Sequence, residues 1–271
     1  MAKLLLMAAK KPVGTVTRGT TNPNRLRRVD RYLCSLPNLR KVDSPIVVDL
    51  GYGASPITAV ELLARCKTVN PKTRLVGVEI ERERVERGLA LATDDLRFTL
   101  GGFETPLPTD FGAGAKVDLI RAFNVLRQYS EPEVPAAWAL MQERLAPSGL
   151  LIEGTCDEIG RLASWVTLDS QRPLWFTVSL RLSGLENPSK VAERLPKALI
   201  HHNVPGEPIH DFLTALDRFW NTHAPIGVFG ASQRWVAVCK SMTAAGWPVK
   251  QEPKRWRLGE ITLDWRAVAP K

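Results

Sequence analysis

The chain has 271 residues, 44% apolar and 24% charged, an ordinary globular composition with enough length for one large α/β domain or a domain with an appendage. No apolar run approaches the roughly 18–20 residues of a membrane-crossing helix, and the opening apolar stretch is shorter than a signal-peptide core, so a cytoplasmic protein with no membrane partner is expected. The net charge of +9 sits in residues 1–41, which hold ten Lys/Arg and one acid, Asp30, while the rest of the chain is balanced.

In chain order, residues 1–23 carry Pro12, Gly14, Gly19, Pro23 and a threonine cluster, and read as extended or disordered. From Asn24 the spacing of Leu26, Val29 and Leu33 predicts a helix that Pro37 ends. Ile46–Leu50, Arg74–Ile80, Leu96–Leu100, Val117–Phe123 and Leu150–Gly154 read as strands, with helices over Pro56–Cys66, Glu81–Ala92 and Val134–Leu145. Such alternation implies a doubly wound, mostly parallel sheet with helices on both faces. Beyond residue 160 the pattern loosens. Trp165–Leu168 and Leu174–Leu182 suit a hairpin, Asp211–Trp220 and Gln233–Ala245 helices, and Glu260–Ala267 a last strand. The expected division is a basic arm and helix over 1–43, a cofactor-binding core over 44–160, and a C-terminal half over 161–271 that completes the sheet and covers an acceptor. Cys34, Cys66, Cys156 and Cys239 are too far apart for a zinc knuckle or a disulfide framework.

Ile46-Val-Val-Asp-Leu-Gly-Tyr-Gly53 is a strand running into a glycine-rich turn ahead of a helix. Ligands bind beyond the carboxyl ends of parallel strands, where glycines let the backbone come close. Pro56 stands where a dinucleotide fingerprint needs its third glycine, and no GxxxxGK[ST] occurs, so neither a pyrophosphate cradle nor a P-loop is present. Asp49 suits an ammonium group, and Glu79, ending the second strand, suits a pair of ribose hydroxyls. A ligand with a ribose, a cationic amino-acid portion and no phosphate fits, and S-adenosylmethionine is one.

Together with Val117-Asp-Leu-Ile-Arg-Ala-Phe-Asn-Val-Leu126 and Leu145-Ala-Pro-Ser-Gly-Leu-Leu-Ile-Glu153, these motifs make residues 44–155 resemble the class I S-adenosylmethionine-dependent methyltransferases. The resemblance implies a Rossmann-like, seven-stranded sheet with a reversed last strand. It also implies that Asp49, Gly51, Tyr52 and Gly53 line the methionine end of the cofactor, and that Glu79 and Ile80 hold the ribose and adenine. Gly102 and Phe103 then contact the adenine, and Asn124 and Val125 face the methyl group. Gly101-Gly102-Phe103 departs from the family pattern, which often has Asp or Asn there.

The acceptor stays open. Asn124-Val-Leu at the tip of the fourth strand is unlike the Asn/Asp-Pro-Pro-Tyr of nucleic-acid amino-group methylases, which favours a small molecule. Arg25, Arg27, Arg28 and Arg31 instead suit RNA phosphates, although Tyr32 is the arm's only aromatic. A third reading is a protein that binds S-adenosylmethionine without transferring its methyl group. His201, His202, Glu207 and His210 are metal-ligand types, but Pro205 and Pro208 break any helical ligand spacing and no metal is expected. Asn124, His202 and His210 are the candidate catalytic residues.

Overall fold

The computed structural model describes residues 11–17, 19–112 and 114–271; the first ten residues of the arm, and Arg18, lie outside the described residues. Two short helices, α1 (Arg27–Leu33) and α2 (Asn38–Lys41), precede β1 (Ile46–Leu50). Then α3 (Ile57–Lys67), β2 (Arg74–Glu79), α4 (Arg82–Leu89), β3 (Leu96–Leu100), β4 (Val117–Phe123), α5 (Val134–Gln142) and β5 (Leu145–Cys156) follow. These five strands are parallel, in the order 3-2-1-4-5. The order reverses between β1 and β4, and such a switch point opens a crevice at the carboxyl ends of the strands.

β1 and β4 are buried along their whole length, so alternate residues feed two cores. On one face α3 supplies Ala59, Leu62, Leu63 and Cys66, an i, i+3, i+4, i+7 stripe packed with Val29, Tyr32 and Leu33 of α1. On the other, Val48, Leu50 and Ile120 meet Val134, Trp138 and Met141 of α5.

The sheet does not stop at β5. β6 (Leu162–Leu168) and β7 (Pro173–Leu180) form the expected hairpin, and both strands join the sheet edge antiparallel. The five residues between β5 and β6 are too few for a parallel crossover, so the chain reverses. Helices α6 (Lys197–Ile200), α7 (Pro208–Thr222), α8 (Ala231–Ala244) and α9 (Pro253–Trp256) lead to β8 (Glu260–Asp264), which pairs antiparallel with β7. The sheet therefore has eight strands where seven were expected, because the hairpin contributes two; it remains mostly parallel with a reversed last strand. β8 ends early because the Asp264 carboxylate accepts the Arg266 N–H at 2.9 Å and starts a 3₁₀ turn. Ile209, Phe212, Leu213, Leu216 and Trp220 form the buried stripe of α7. Among the described residues no helix is long and apolar enough to cross a membrane.

One core residue is out of character. Glu153 on β5 is fully buried, and neither carboxylate oxygen has a hydrogen-bond partner. The Trp138 indole lies alongside but is also unpartnered, so burial dominates and raises the carboxyl to about 8. The folded protein keeps this proton from the ordinary carboxyl range up to about pH 8, whereas the unfolded chain has released it, so stability falls as pH rises through that window. Glu153→Gln should remove this slope. Thermal or urea unfolding from pH 5 to 9 should show the variant overtaking the wild type as pH rises. The gain is a few kcal/mol at most, since each tenfold difference in proton affinity between the folded and unfolded chain is worth about 1.4 kcal/mol. Parallel profiles would refute it.

Candidate functional site

The crevice at the β1/β4 switch point is a cavity of about 490 Å³. Asp49 near the end of β1 and Gly51, Tyr52 and Gly53 after it border the cavity, with Phe123 at the end of β4, Asn124 and Val125 after it, and Thr58 of α3. Gly51 and Gly53 have φ of 69° and 82°, a conformation that L side chains rarely take. Asn124 is left-handed too, at φ 61°. It is held there from β5: its Oδ1 accepts the Cys156 N–H at 3.0 Å and its Nδ2 donates to the Cys156 Sγ at 3.4 Å. A non-glycine residue fixed in this region at the end of a strand is typical of a functional turn.

Asp49 borders the cavity, but its carboxylate is already engaged. Arg121, opposite it on β4 and fully buried, donates from Nε to Oδ1 at 2.9 Å and from Nη2 to Oδ2 at 2.6 Å. The same guanidinium reaches Asp30 of α1 and donates to the Thr58 carbonyl at 3.0 Å. Asp30 is also paired with Arg65 of α3. Burial alone would lower the pKa of Arg121; Asp49 and Asp30 outweigh it and raise it, so the charge is permanent. The ammonium partner expected of Asp49 thus has a guanidinium as a competitor.

Glu79, at the tip of β2, is buried and points back at the glycine turn. Its Oε2 accepts the Gly53 N–H and its Oε1 the Ile80 N–H, both at 2.9 Å. The Tyr52 side chain leaves the crevice: it packs edge-on to Phe98 and donates to the Arg84 carbonyl at 3.1 Å.

A second, much smaller void of about 20 Å³ continues the crevice past Gly51 and Val125 to Glu79, Ile80, Gly101, Gly102 and Phe103. It is small because the N-terminal arm fills it. The Phe103 N–H donates to the Val13 carbonyl at 3.0 Å, and a Cβ on Gly102 would fall 1.9 Å from that oxygen. The Tyr129 hydroxyl accepts the Thr15 N–H at 2.5 Å. Further along, Arg84 donates to the Thr17 carbonyl at 2.9 Å and the Ala54 N–H to the Gly19 carbonyl at 2.7 Å. Thr21 Oγ1 donates to the Tyr52 carbonyl at 2.8 Å. The described part of the arm is therefore a strap across the strand tips with no helix or strand of its own, which agrees with the extended of the two expected alternatives.

The four arginines that suit RNA phosphates do not share a face. Arg27 and Arg31 are exposed, whereas Arg28 is buried and donates to the Leu258 carbonyl at 3.0 Å. Arg25 turns into the crevice, its Nε on the Asp157 carbonyl at 3.0 Å and its Nη1 on the Thr20 carbonyl at 2.6 Å. Of the candidate catalytic residues, only Asn124 borders the crevice. His202 is bonded to Glu131 at 2.6 Å, and His210 starts α7; neither borders either void. No group of three potential metal ligands occurs among the described residues.

Sequence reasoning missed the strap, Tyr129, and the crevice residues Arg127 and Arg194. Nothing local marks where a Gly/Thr loop will lie or what a loop arginine faces. Arg121 was not singled out either, although a charge between Ile120 and Ala122 in the middle of a buried strand is a signal of a buried pair.

A scan against protein-family models gives no match, and a search of curated proteins gives none. Solved structures do match. One is the complex of the Haloferax volcanii Trm112 methyltransferase activator with a methyltransferase, at 22% identity and TM-score 0.37, over 48% of this chain and 52% of that one. Others are human N-acetylserotonin methyltransferase with S-adenosylmethionine (19%, TM-score 0.36, 50% of this chain and 36% of that one) and the Streptomyces davawensis enzyme RosA, an N,N-8-amino-8-demethyl-D-riboflavin dimethyltransferase (20%, TM-score 0.34, 47% and 35%). The chain is similar to S-adenosylmethionine-dependent methyltransferases. It spans between about a third and a half of the length of these three, and at such identities and scores the likeness adds no weight to the functional reading.

Two outcomes follow from this geometry. Arg121→Met leaves Asp49 and Asp30 as uncompensated buried carboxylates, and urea unfolding should record a loss of about 3–5 kcal/mol; a loss under about 1 kcal/mol would mean the network is not structural. Tyr129→Phe keeps the ring and frees the Thr15 N–H. Hydrogen exchange over residues 11–17 should then accelerate about fivefold, as expected for a hydrogen bond of about 1 kcal/mol, without a change at β1 or β4.

Proposed function

We propose that the chain is an S-adenosylmethionine-dependent methyltransferase acting on a small molecule. The observation that carries this reading is the crevice itself: a Gly-x-Gly turn with both glycines left-handed, at the β1/β4 switch point, with a buried acid at the neighbouring tip of β2. The larger void has room for the methionine portion of the cofactor beside Gly51 and Gly53. The smaller end offers what a nucleoside needs. The Phe103 N–H is a donor for a ring nitrogen, Ile80 and Val125 are apolar walls, and Glu79 is an acceptor for ribose hydroxyls. The residues fit the cofactor on one condition: Val13–Thr15 must leave the nucleoside end, because a void of about 20 Å³ holds little more than a water molecule.

Bound S-adenosylmethionine would supply a methyl group already activated for transfer, so positioning is the protein's main task. Val125 borders both the nucleoside end and the larger void, and Asn124, fixed by its two bonds to Cys156, borders the larger void beside it. The strap, closed over the tips of β1 to β3, excludes water. Among the described residues, no histidine, cysteine or free carboxylate other than Glu158 borders the larger void together with Asn124, so the reading assigns the chain no dedicated general base.

Titration calorimetry with S-adenosylhomocysteine, NAD and ATP tests this. Selective micromolar binding of S-adenosylhomocysteine is expected, weakened about tenfold by Glu79→Gln through loss of a charged hydrogen-bond acceptor. Preference for NAD or ATP, or no binding even in Tyr129→Phe, would sink the cofactor assignment. Cofactor binding with no turnover over a broad panel of acceptors would favour the non-catalytic reading instead.

A further inference from the structure

Besides the strand tips, the larger void is bordered by Arg25, Arg127 and Arg194, which come from three separate parts of the chain. None of the three forms an ion pair among the described residues. Arg25 and Arg127 are held by neutral main-chain oxygens, Arg127 through the Glu193 carbonyl at 2.9 Å. The Nε of Arg194 is buried with no partner among the described residues. Their charges also bear on one another: the pKa of Arg127 is lowered, first by burial and then by Arg194 and Arg25. Among the described residues, Glu158, exposed at the rim, is the one carboxylate of the cavity lining that is not already tied up by Arg121.

Three guanidiniums gathered at one cavity repel, and their hydrogen bonds to neutral carbonyls do not cancel that charge. Where like charges are gathered and left without counter-charges, a ligand of the opposite charge relieves the repulsion, and arginine forks match the geometry of an oxyanion. The cofactor does not supply the missing charge, because its sulfonium and ammonium outweigh its carboxylate. Its binding would make the cavity more positive. We propose that the acceptor is a small molecule bearing an oxyanion, carboxylate or phosphate, and that Arg25, Arg127 and Arg194 clamp this group so that the rest of the molecule faces Asn124. What the anion does there rests on the methyltransferase reading; that it binds there does not.

The test is calorimetric titration of the full-length protein with succinate and, separately, with inorganic phosphate, each with and without saturating S-adenosylhomocysteine. One of the two probes should bind saturably, and which one binds identifies the oxyanion. Arg127→Gln and Arg194→Gln should each weaken it about tenfold or more, whereas Arg27→Gln, which alters an exposed residue outside the crevice, should leave it unchanged. Arg25→Gln is read only beside these two, since Arg25 also anchors the strap. S-adenosylhomocysteine affinity should change less than about threefold in Arg127→Gln and Arg194→Gln. Anion binding without S-adenosylhomocysteine binding would uphold the clamp and reject the cofactor reading. Binding of neither probe would overturn the clamp, as would equal losses in Arg27→Gln. Losses of S-adenosylhomocysteine affinity as large as those of the anion would also overturn it, because the arginines would then serve the cofactor's own carboxylate. Displacement of the bound anion by a short RNA would overturn the small-molecule class.

Discussion

The buried Arg121 guanidinium ties together the parts of the molecule that make the crevice. Through Asp49 it fixes the tip of β1 to β4, through the Thr58 carbonyl it fixes the first turn of α3, and through Asp30 it fixes α1. Removing these charges from water costs several kcal/mol per ion, which only multiple well-aligned contacts offset. The guanidinium has five donors, and the two carboxylates and the carbonyl take four of them. A hydrophobic substitute for the whole cluster could match its stability. It could not set the direction of α1, which carries the strap to the strand tips.

The two ends of the crevice differ in kind. The smaller end is lined mainly by backbone and apolar side chains around the buried Glu79, and its donor, the Phe103 N–H, is satisfied by the chain itself. The other end is roomier, polar and bordered by three arginines. That division matches a reaction in which one ligand is gripped by shape and the other by charge. It also explains why the arm's arginines are dispersed. Arg28 anchors α1 against β7 and the loop before β8, where Ser179 and the Leu258 carbonyl accept from it, whereas Arg25 serves the cavity.

The parallel half of the sheet was legible because its strands are short, mostly apolar segments bounded by turn residues, and α3 and α5 carry apolar faces. The glycine turn was legible for the same local reason: Gly51 and Gly53 adopt backbone angles that other residues avoid. Glu79 was found by its place at the end of β2, but its two bonds to the Gly53 and Ile80 amides are tertiary facts that spacing cannot give. The antiparallel extension was half legible. The hairpin pattern appeared in Trp165–Leu168 and Leu174–Leu182, yet alternation alone does not say which edge a hairpin joins. The strap and the meeting of Arg25, Arg127 and Arg194 at the crevice were illegible because they depend on where loops from distant parts of the chain meet, and loop composition carries no address.

The bond between the Val13 carbonyl and the Phe103 N–H makes the arm a ligand of its own crevice, and a tethered ligand is never dilute. A short flexible tether holds its group at an effective concentration in the millimolar range. Any nucleoside that needs the same N–H meets a competitor that cannot be washed away, so its apparent affinity falls by the fraction of time the arm is out. The reciprocal also holds: whatever draws the arm aside at its N-terminal end strengthens nucleoside binding by the same factor. For any nucleoside that enters there, the strap would set the apparent affinity through the few hydrogen bonds at Val13, Thr15 and Thr17.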